Sequence, residues 1–558
     1  MDMSQVPSLI QEAQLWKFEE LRSQVLSDVV ERSFQEILAE ESEMPLEVVL
    51  QEALFAERQR LRRTRTNWFT RERRKRDSLF WGGVYTRMLR RPGEVDRSQV
   101  LRRVLEHYTD EIGGHFDPNV YRFTTHALPI GFNWLLNAAS AGILLPWKQK
   151  EQVQGRLNIV GEVEHLKKLT ARGTILLVPT HQSNIDSVMI GYLIYLMGLP
   201  PFSYGAGLNL FSNPILSYFM SRLGAYTVDR QKNDAIYKRA LKNYSTRILR
   251  QGVHSIFFPG GGRSRSGAIE SKLKLGLLGT ALEAQTMNLS EGRPNPNVYV
   301  VPMVTSYHFV LEAASLIEDY LMEQGKHRFI LRGDDSWQLA KVANFFWKFF
   351  KSESSVTVRI GKPMDVFGNL VDEAGQSLGP NGTQIQPLKW LTTRGEVRPD
   401  AARDREYTRE LGLRVSERFH LDNTVLSSHA VAFALFECLR KHYRGFDLFR
   451  FLRLSLSQRT LPFEEFLQEA ETLHQRLHEM SDRGRLHLAP EFKVGSFRRW
   501  VDDGIRNLGL LHDAAVVKVD KDTILTEDLS LLYYYRNRLA GYGLSLKGEG
   551  YDRKGFLA

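Results

Sequence analysis

From residue 173 onward, short apolar runs bounded by turn residues alternate with longer segments of helical periodicity. Short apolar runs indicate buried strands, and apolar residues three and four apart indicate helices with one buried face. The pattern predicts strands at 174–178, 201–206, 225–228, 253–258, 298–305 and 356–360. It predicts helices between them, at 187–197, 213–223, 235–251, 273–285 and 310–323. Strands that alternate with helices are typical of the α/β class, so we predict a mostly parallel sheet flanked by helices.

The segments on either side of this region have helical patterns. In the N-terminal region, helices are predicted at 8–28, 30–41, 46–65 and 96–112, with breaks at Pro45, Gly82–Gly83 and Pro92–Gly93. Residues 368–386, rich in Gly, Pro and Asn, indicate a loop. We therefore divide the chain into an N-terminal helical region (1–115), an α/β domain (116–365), a loop (366–400) and a C-terminal helical region (401–558).

One segment, residues 127–147, is apolar enough to interact with a membrane. Only sixteen residues separate Pro129 from Pro146, and three of them are Asn or Ser. Since about twenty apolar residues are needed to span a bilayer, this segment is too short and too polar to do so. We expect either an amphipathic helix in the membrane plane or an ordinary buried helix. An aromatic segment with flanking lysines, residues 339–351, is a second candidate anchor.

With 558 residues, 42% apolar and 25% charged, the chain has the composition of a globular protein. The single cysteine, Cys438, excludes an internal disulfide framework and any metal site built from several cysteines. It is typical of a reducing compartment. The first residues contain neither the basic nor the apolar part of a secretory signal, so we expect none.

The net charge of +10 is concentrated in residues 57–91, which we call the basic aromatic segment. Thirteen Arg and Lys stand here against three acidic residues, a local balance of +10, so the rest of the chain is neutral. Five aromatic residues lie among them: Trp68, Phe69, Phe80, Trp81 and Tyr85. This composition favours an anionic membrane surface, where each cation contributes about 1 kcal/mol and indole rings lie at headgroup depth. It would also suit nucleic-acid phosphates or a solvated helix face.

A histidine and an aspartate follow the first predicted strand at a spacing that suits a catalytic pair. His181 lies in the loop after Pro179, and Asp186 lies where it is expected to cap the next helix. A carboxylate bonded to one imidazole nitrogen fixes the tautomer and leaves the other nitrogen free to accept a hydroxyl proton. About one such pair is expected by chance in a chain of this composition, so the pair alone is equally consistent with a structural role.

A glycine-rich loop with arginines follows the fourth predicted strand and indicates an anion site. Residues 260–262 are three consecutive glycines, which allow backbone amides to approach an oxyanion closely. Arg263 and Arg265 add forked donors that suit phosphate. Arg230, after the third strand, is expected to reach the same anion, because ligands bind at the carboxyl ends of parallel strands. A tight surface turn would have a similar composition.

Taken together, these segments resemble the glycerolipid acyltransferases, which have four sequence blocks in a fixed order. The matching blocks are 181–186, 224–230, 258–265 and 301–304. Segments 206–210 and 531–539 resemble the membrane-associated glycerol-3-phosphate acyltransferases in particular, as does 114–122 more loosely. The resemblance covers roughly residues 105–310 well and the C-terminal region thinly.

The resemblance implies an acyltransferase fold and a role for each site residue. His181 would be the general base on a glycerol hydroxyl that attacks an acyl thioester of coenzyme A or acyl carrier protein, and Asp186 would orient it. The residues implied to hold the acceptor phosphate or line the site are Arg230, Gly261, Arg263, Ser264, Arg265 and Pro302. No metal, further cofactor or covalent enzyme intermediate is expected. We expect amides near Ser183 or Gly261 to bind the oxyanion.

The sequence departs from the family pattern in ways that leave the acceptor open. Gly260 stands where the family usually has Glu, so we expect an altered acceptor, lower activity or a substitute carboxylate such as Glu270. The second block ends in Val-Asp-Arg, and a similar Ile-Asp-Arg is commoner in acylglycerol-phosphate acyltransferases. Gln182 and Asn184 replace the Arg and aromatic often seen in the glycerol-3-phosphate group.

We predict acyl transfer to the sn-1 hydroxyl of glycerol 3-phosphate, which forms lysophosphatidate for phospholipid biosynthesis. The enzyme would be peripheral or monotopic, on the cytoplasmic face of a membrane with an anionic surface. The nearest alternatives are the same chemistry on 1-acylglycerol 3-phosphate or dihydroxyacetone phosphate. A non-catalytic lipid-binding homologue is a second class, which the intact His181 and Asp186 disfavour. Nucleic-acid binding is a third class and leaves the four blocks unexplained, so no nucleic-acid partner is expected.

Overall fold

The computed structural model of this chain describes most of its length. The described residues are 14–42, 44–63, 71–90, 96–125, 157–208, 214–325, 355–393, 395–493, 497–510, 512 and 515–544. The two candidate membrane segments of the sequence, 127–147 and 339–351, lie outside them. Within the described residues, the longest and most apolar helices still fall short of what crossing a membrane requires.

A seven-stranded sheet forms the centre of the molecule and confirms the predicted α/β class. Its strands are β1 Leu157–Gly161, β2 Thr174–Pro179, β3 Ser203–Gly207, β4 Ala225–Val228, β5 Ser255–Ile256, β6 Val298–Tyr307 and β7 Val356–Ile360. They lie in the order β1-β7-β6-β2-β5-β3-β4. Neighbouring strands are parallel except for the antiparallel pair β6–β7. The carboxyl ends of β2 to β6 therefore meet at one edge of the sheet.

The pattern predicted six of these strands and missed β1. The missed strand is an edge strand that pairs only with β7, and its residues are half-buried or exposed. A half-buried run of five residues lacks the continuous apolar signal of the inner strands. Six helices connect the strands: Val163–Thr170, Asp186–Leu196, Pro214–Arg222, Ala235–Arg250, Leu275–Ser290 and Ala313–Gln324. The first of these was not predicted either.

The N-terminal region is helical, as predicted, but its breaks differ. The described helices are Gln14–Glu20, Arg22–Ala39, Leu46–Arg63, Arg71–Met88 and Arg97–Ile112. The prediction of a break at Gly82–Gly83 is wrong, because both glycines lie inside the helix Arg71–Met88. Each glycine in a helix costs about 1 kcal/mol relative to Ala, and burial of Trp81 and Val84 offsets this cost. These helices share a hydrophobic core with the helix Ala235–Arg250.

The C-terminal region packs against the sheet within one continuous hydrophobic core. Its helices are Ala401–Leu421, Ser427–His442, Leu448–Phe451, Phe463–Asp482, Pro490–Lys493, Phe497–Leu510 and Leu529–Arg536. Short strands also occur here, at Thr424–Val425, Thr460–Pro462, His487–Leu488, Lys518–Asp520 and Thr523–Leu525. The predicted loop before this region holds a short 3-10 helix, Pro387–Leu391, and a small hairpin of Thr392–Thr393 with Glu396–Val397.

Candidate active site

The loop after β2 brings the His181 and Asp186 side chains together. Strand β2 is completely buried, and Thr180 continues its ladder by donating its amide to the Met303 carbonyl at 2.9 Å. The next residue, His181, turns back toward the start of the following helix. Its Nδ1 lies 2.9 Å from Asp186 Oδ2. The contact between the two side chains that the spacing predicted is therefore present.

The Asp186 carboxylate is saturated with hydrogen bonds. Besides His181, the backbone amides of Gln182 and Ser183 donate to Oδ2 at 2.7 and 3.0 Å. The Tyr307 hydroxyl, from the end of β6, donates to Oδ1 at 2.5 Å. The prediction that Asp186 caps the helix is wrong: Ile185 is the N-cap, and Asp186 opens the helix with its side chain turned back into the loop. A carboxylate that orders the loop cannot also cap the helix.

These contacts fix the tautomer of His181. Since Asp186 accepts from Nδ1–H, the lone pair of the neutral ring is on Nε2, which makes no hydrogen bond to any described residue. The ring stacks on Phe258, with centroids 4.1 Å apart. Burial lowers the pKa of His181, and the positive charges of Arg230 and Arg263 lower it further, against the opposing effect of Asp186. The imidazole is thus neutral near pH 7 and able to accept a proton.

The glycine-rich loop after β5 lies directly against this histidine. Ser264 donates its backbone amide to the His181 carbonyl at 2.7 Å, and its hydroxyl donates to the Ala268 carbonyl at 2.6 Å. Gly261 adopts a φ of +73°. A Cβ at that position would also lie 2.7 Å from Lys274 Cγ, so the turn needs glycine for its backbone conformation and its close packing.

The two amides expected to bind an oxyanion are already used inside the site. The amide of Ser183 donates to Asp186, and the amide of Gly261 donates to the Phe258 carbonyl at 3.2 Å. The neighbouring Gly262 amide makes no hydrogen bond to the described residues. The point where a Cβ on Gly262 would lie is 3.6 Å from Arg230 Nη1. The turn therefore offers an unused amide beside Arg230.

Three of the four charged or hydroxyl side chains predicted to hold phosphate gather here. Arg230 makes no ion pair with a carboxylate of the described residues, while Arg263 Nη1 lies 3.5 Å from Glu312 Oε1. Ser264 joins them through the backbone contact to His181. Arg265 instead pairs with Glu323 at 3.0 Å on the exposed rim.

Pro302 lies inside the sheet, opposite Val178 of β2. Its carbonyl accepts the Gly361 amide at 2.8 Å. A proline lacks an N–H, so its place in a central strand removes one ladder bond, and its buried ring supports the strand rather than reaching the loop. Pro302 therefore supports the strand next to the site. A role of Pro302 in substrate binding stays a prediction.

Glu312, just before the helix Ala313–Gln324, connects the two loops and was not predicted. Its carboxylate accepts the Ser183 hydroxyl at 2.8 Å and the Asn184 amide at 3.1 Å, and it faces Arg263. Burial raises the pKa of Glu312, and the charge of Arg263 opposes that shift. Tyr307 was missed as well. Both follow the Val-Pro block closely, which was the one signal in the sequence that pointed to them.

The N-terminal region supports the loop that carries Arg230. Within the basic aromatic segment, Arg60 is buried and pairs with Asp77 at 2.8 Å and with Glu57. Its Nη1 also lies 3.9 Å from Asp229 Oδ2, next to Arg230 in sequence. Lys232, from the same loop, pairs with Glu111 of another N-terminal helix. Part of the positive charge of the basic aromatic segment is thus used in ion pairs within the protein.

Comparison with known proteins agrees with this geometry. Residues 161–306, which contain β2 to β6 and the loops just described, match the family model described as Acyltransferase. This segment is therefore similar to acyltransferase domains. This match, together with the curated relatives below, confirms the resemblance of the sequence to the glycerolipid acyltransferases, in particular to the glycerol-3-phosphate acyltransferases.

Several curated relatives of this chain are named glycerol-3-phosphate acyltransferase. One from Shewanella putrefaciens is 28% identical over 259 residues, which are 45% of this chain and 28% of the relative. One from Actinobacillus succinogenes is 33% identical over 174 residues, 30% of this chain and 20% of the relative. One from Pseudomonas fluorescens is 25% identical over 352 residues, 62% of this chain and 35% of the relative. The matched region thus spans about a third or less of each relative's length.

Proposed function

We propose that this protein transfers a fatty acyl group from acyl coenzyme A or acyl carrier protein to the sn-1 hydroxyl of glycerol 3-phosphate. The product would be lysophosphatidate, for phospholipid biosynthesis. The observation that carries the proposal is the His181 ring: its Nδ1 is bonded to Asp186, and the charges of Arg230 and Arg263 act on the ring and lower its pKa. A base beside cations suits an acceptor that bears both a hydroxyl and a phosphate.

In the proposed reaction, His181 Nε2 accepts the proton of the glycerol hydroxyl as its oxygen attacks the thioester carbonyl carbon. A tetrahedral oxyanion forms, and the Gly262 amide, beside Arg230, is the donor we assign to it. The intermediate collapses with cleavage of the carbon–sulfur bond, and the imidazolium returns its proton to the departing thiolate. Asp186 stabilises the imidazolium throughout. The scheme uses the thioester as its only co-substrate and assigns no step to a metal or further cofactor.

The phosphate of the acceptor would be held by the side chains of Arg230 and Arg263, beside the turn at 261–264. Arg230 makes no ion pair with the described carboxylates, so its charge is not neutralised before a ligand binds. Arg263 already contacts Glu312, and an incoming phosphate would compete for that contact. The exposed guanidinium group of Arg230 and the partly buried one of Arg263 together suit a dianion.

We further propose that the enzyme works on the cytoplasmic face of an anionic membrane. Trp81 is buried and Phe80 stacks on His107 with centroids 3.9 Å apart, so these two rings serve the fold rather than a bilayer. The outer face of the helix Arg71–Met88 and its following turn supports the proposal instead. Its exposed side chains include the basic Arg71, Lys75, Arg76 and Arg90 and the apolar or aromatic Leu79, Tyr85 and Leu89, together with Glu72, Ser78 and Thr86. Basic residues around exposed leucines suit anionic headgroups.

The proposal is tested by offering palmitoyl coenzyme A and palmitoyl carrier protein to the enzyme with three acceptors in parallel. Lysophosphatidate formed from glycerol 3-phosphate is the expected product, read by mass. Product from only 1-acylglycerol 3-phosphate or dihydroxyacetone phosphate would keep the chemistry and overturn the acceptor. Absence of transfer with every donor and acceptor, from protein that still binds anionic vesicles, would favour a non-catalytic lipid-binding protein.

A further inference from the structure

We propose that Glu270 and Arg538 are positioning residues of this site: Glu270 holds the backbone of His181, and Arg538, supplied by the C-terminal region, keeps Glu270 ionised and in place. This inference rests on the proposed function, which it deepens. Neither side chain has a part in the reaction scheme above. Both act indirectly, through the backbone of His181.

Glu270 reaches His181 from the far end of the glycine-rich loop. Its Oε1 accepts the backbone amide of His181 at 2.8 Å. The loop arrives there through Gly267, whose φ is +82°. A Cβ on Gly267 would lie 2.1 Å from the Tyr534 carbonyl, so this turn is pressed against the C-terminal helix. The position of Glu270 thus depends on the C-terminal region.

The same carboxylate occupies the space beside Gly260. A Cβ on Gly260 would lie 3.0 Å from both Cγ and Oε1 of Glu270. A side chain at residue 260 would require Glu270 to shift by a few tenths of an ångström. A carboxylate is therefore present beside this turn, but it is supplied ten residues later in the chain. This geometry supports the expectation that Glu270 substitutes for the missing Glu.

Arg538 is a buried cation whose charge interacts with those of Glu270 and Asp186. Its Nε donates to Asn423 Oδ1 at 2.9 Å and its Nη2 donates to the Thr305 carbonyl at 2.7 Å. Its Nη1 is buried and has no hydrogen-bond partner in the part of the chain that the structure describes. No described carboxylate forms an ion pair with it, so its charge is balanced at longer range, by Glu270 and Asp186 among others.

The charge state of Glu270 changes near neutral pH. Its pKa is raised to about 7: burial and the negative charge of Asp186 raise it, and the His181 amide and the charge of Arg538 lower it. The helix Ala401–Leu421 adds only the Ser416 hydroxyl, which donates to the Glu270 carbonyl at 3.3 Å. The pKa of His181 itself is lowered. Above about pH 7, an ionised Glu270 holds His181 by a charge-assisted bond, and below that pH the bond weakens.

In a plot of kcat against pH, the decrease on the acidic side (the acidic limb) should therefore reflect the titration of Glu270 rather than that of His181. We would measure kcat and the KM for glycerol 3-phosphate from about pH 5.5 to about pH 8.5 in the wild type, Glu270→Gln and Arg538→Met. Glu270→Gln keeps an acceptor for the His181 amide but removes the charge, so its limb should move to lower pH. Arg538→Met removes the cation, so its limb should move to higher pH. KM should change less than about twofold in both.

Shifts in the same direction, or no shift in either variant, would overturn the proposal. Arg536→Met is the matched control: Arg536, two residues before Arg538, is also buried, but its Nη2 pairs with Glu437 at 2.7 Å. It should lose stability without moving the limb. If Arg538→Met fails to fold, Arg538→Lys, which retains the charge, should restore the wild-type limb, and a wild-type limb in Arg538→Gln would contradict the proposal.

A measurement that does not depend on catalytic activity tests the positioning role independently of the proposed function. The ring nitrogens of His181, assigned by their loss in His181→Ala, are followed by nitrogen NMR against pH. In the wild type their shifts should change near the pH where Glu270 titrates, and this change should disappear in Glu270→Gln. An unchanged titration in Glu270→Gln would overturn the positioning role whether or not the enzyme transfers acyl groups. Failure of transfer in the wild type would overturn only the proposed function.

Discussion

The loop after β2 and the glycine-rich loop after β5 lie side by side but differ in how their polar groups are used. In the first, the Asp186 carboxylate accepts four hydrogen bonds and is fully buried. Beside the second, Arg230 forms no ion pair with the described carboxylates and the Gly262 amide has no described partner. A saturated network holds a reacting group in one geometry, whereas unsatisfied donors are available to a ligand. The difference indicates that chemistry and binding are assigned to different loops.

Asp186→Asn should have the largest effect on the first loop. The amide nitrogen must face at least one of the donors that now meet the carboxylate, and His181 loses its fixed tautomer. We expect kcat to fall by about 10²- to 10³-fold with KM nearly unchanged. Stability should fall by roughly 2–3 kcal/mol, measured by urea unfolding. Asp110→Asn, at an exposed carboxylate, is the control, and equal kinetics in the two variants would contradict the assigned role.

Arg230→Ala should have a smaller effect that appears in binding. A charged hydrogen bond to phosphate contributes about 1.5–3 kcal/mol, so we expect the KM for glycerol 3-phosphate to rise about 10- to 100-fold with kcat changed less. Initial rates at varied acceptor concentration provide the measurement. Arg222→Ala removes an exposed arginine that stacks on Tyr218, and it should leave KM unchanged. If Arg230→Ala lowered kcat alone, the division between the two loops would fail.

Arg265→Ala should have the smallest effect, although the family resemblance implies the same role for Arg265 as for Arg263. Its side chain is half-exposed and paired with Glu323, and exposed ion pairs contribute about 0–1 kcal/mol. We expect less than about a threefold rise in KM, compared with the tenfold or larger rise in Arg230→Ala. A rise as large as that of Arg230→Ala would show that Arg265 leaves Glu323 to bind the phosphate.

Local patterns predicted most of the sheet but not the contacts that complete the site. Inner strands such as β2 are continuous apolar runs, whereas the half-buried edge strand β1 gives little signal. His181 and Asp186 are five residues apart, so their contact could be anticipated from spacing alone. Tyr307 lies 121 residues from Asp186, and Glu312 lies 129 residues from Ser183. Contacts across such distances depend on the strand order, which no local pattern encodes.

Helix breaks and helix caps were predicted less well than the strands, for a related reason. Glycine and aspartate have strong local preferences, and at Gly82 and Asp186 tertiary contacts outweigh them. The helix Arg71–Met88 continues through its glycines because Trp81 and Val84 are buried on either side. Asp186 serves the loop rather than the helix because four donors converge on its carboxylate. In both cases the deciding interactions come from distant parts of the chain.

The most direct test of the account is the turnover of His181→Ala with palmitoyl coenzyme A and glycerol 3-phosphate. The exposed His442, which bonds to Glu465 at 2.6 Å, supplies the matched control His442→Ala. Loss of a general base should lower kcat by about 10²- to 10⁴-fold, while folding and vesicle binding stay as in the wild type. Turnover of His181→Ala within a few-fold of the control would contradict the central claim that Nε2 of this histidine accepts the hydroxyl proton.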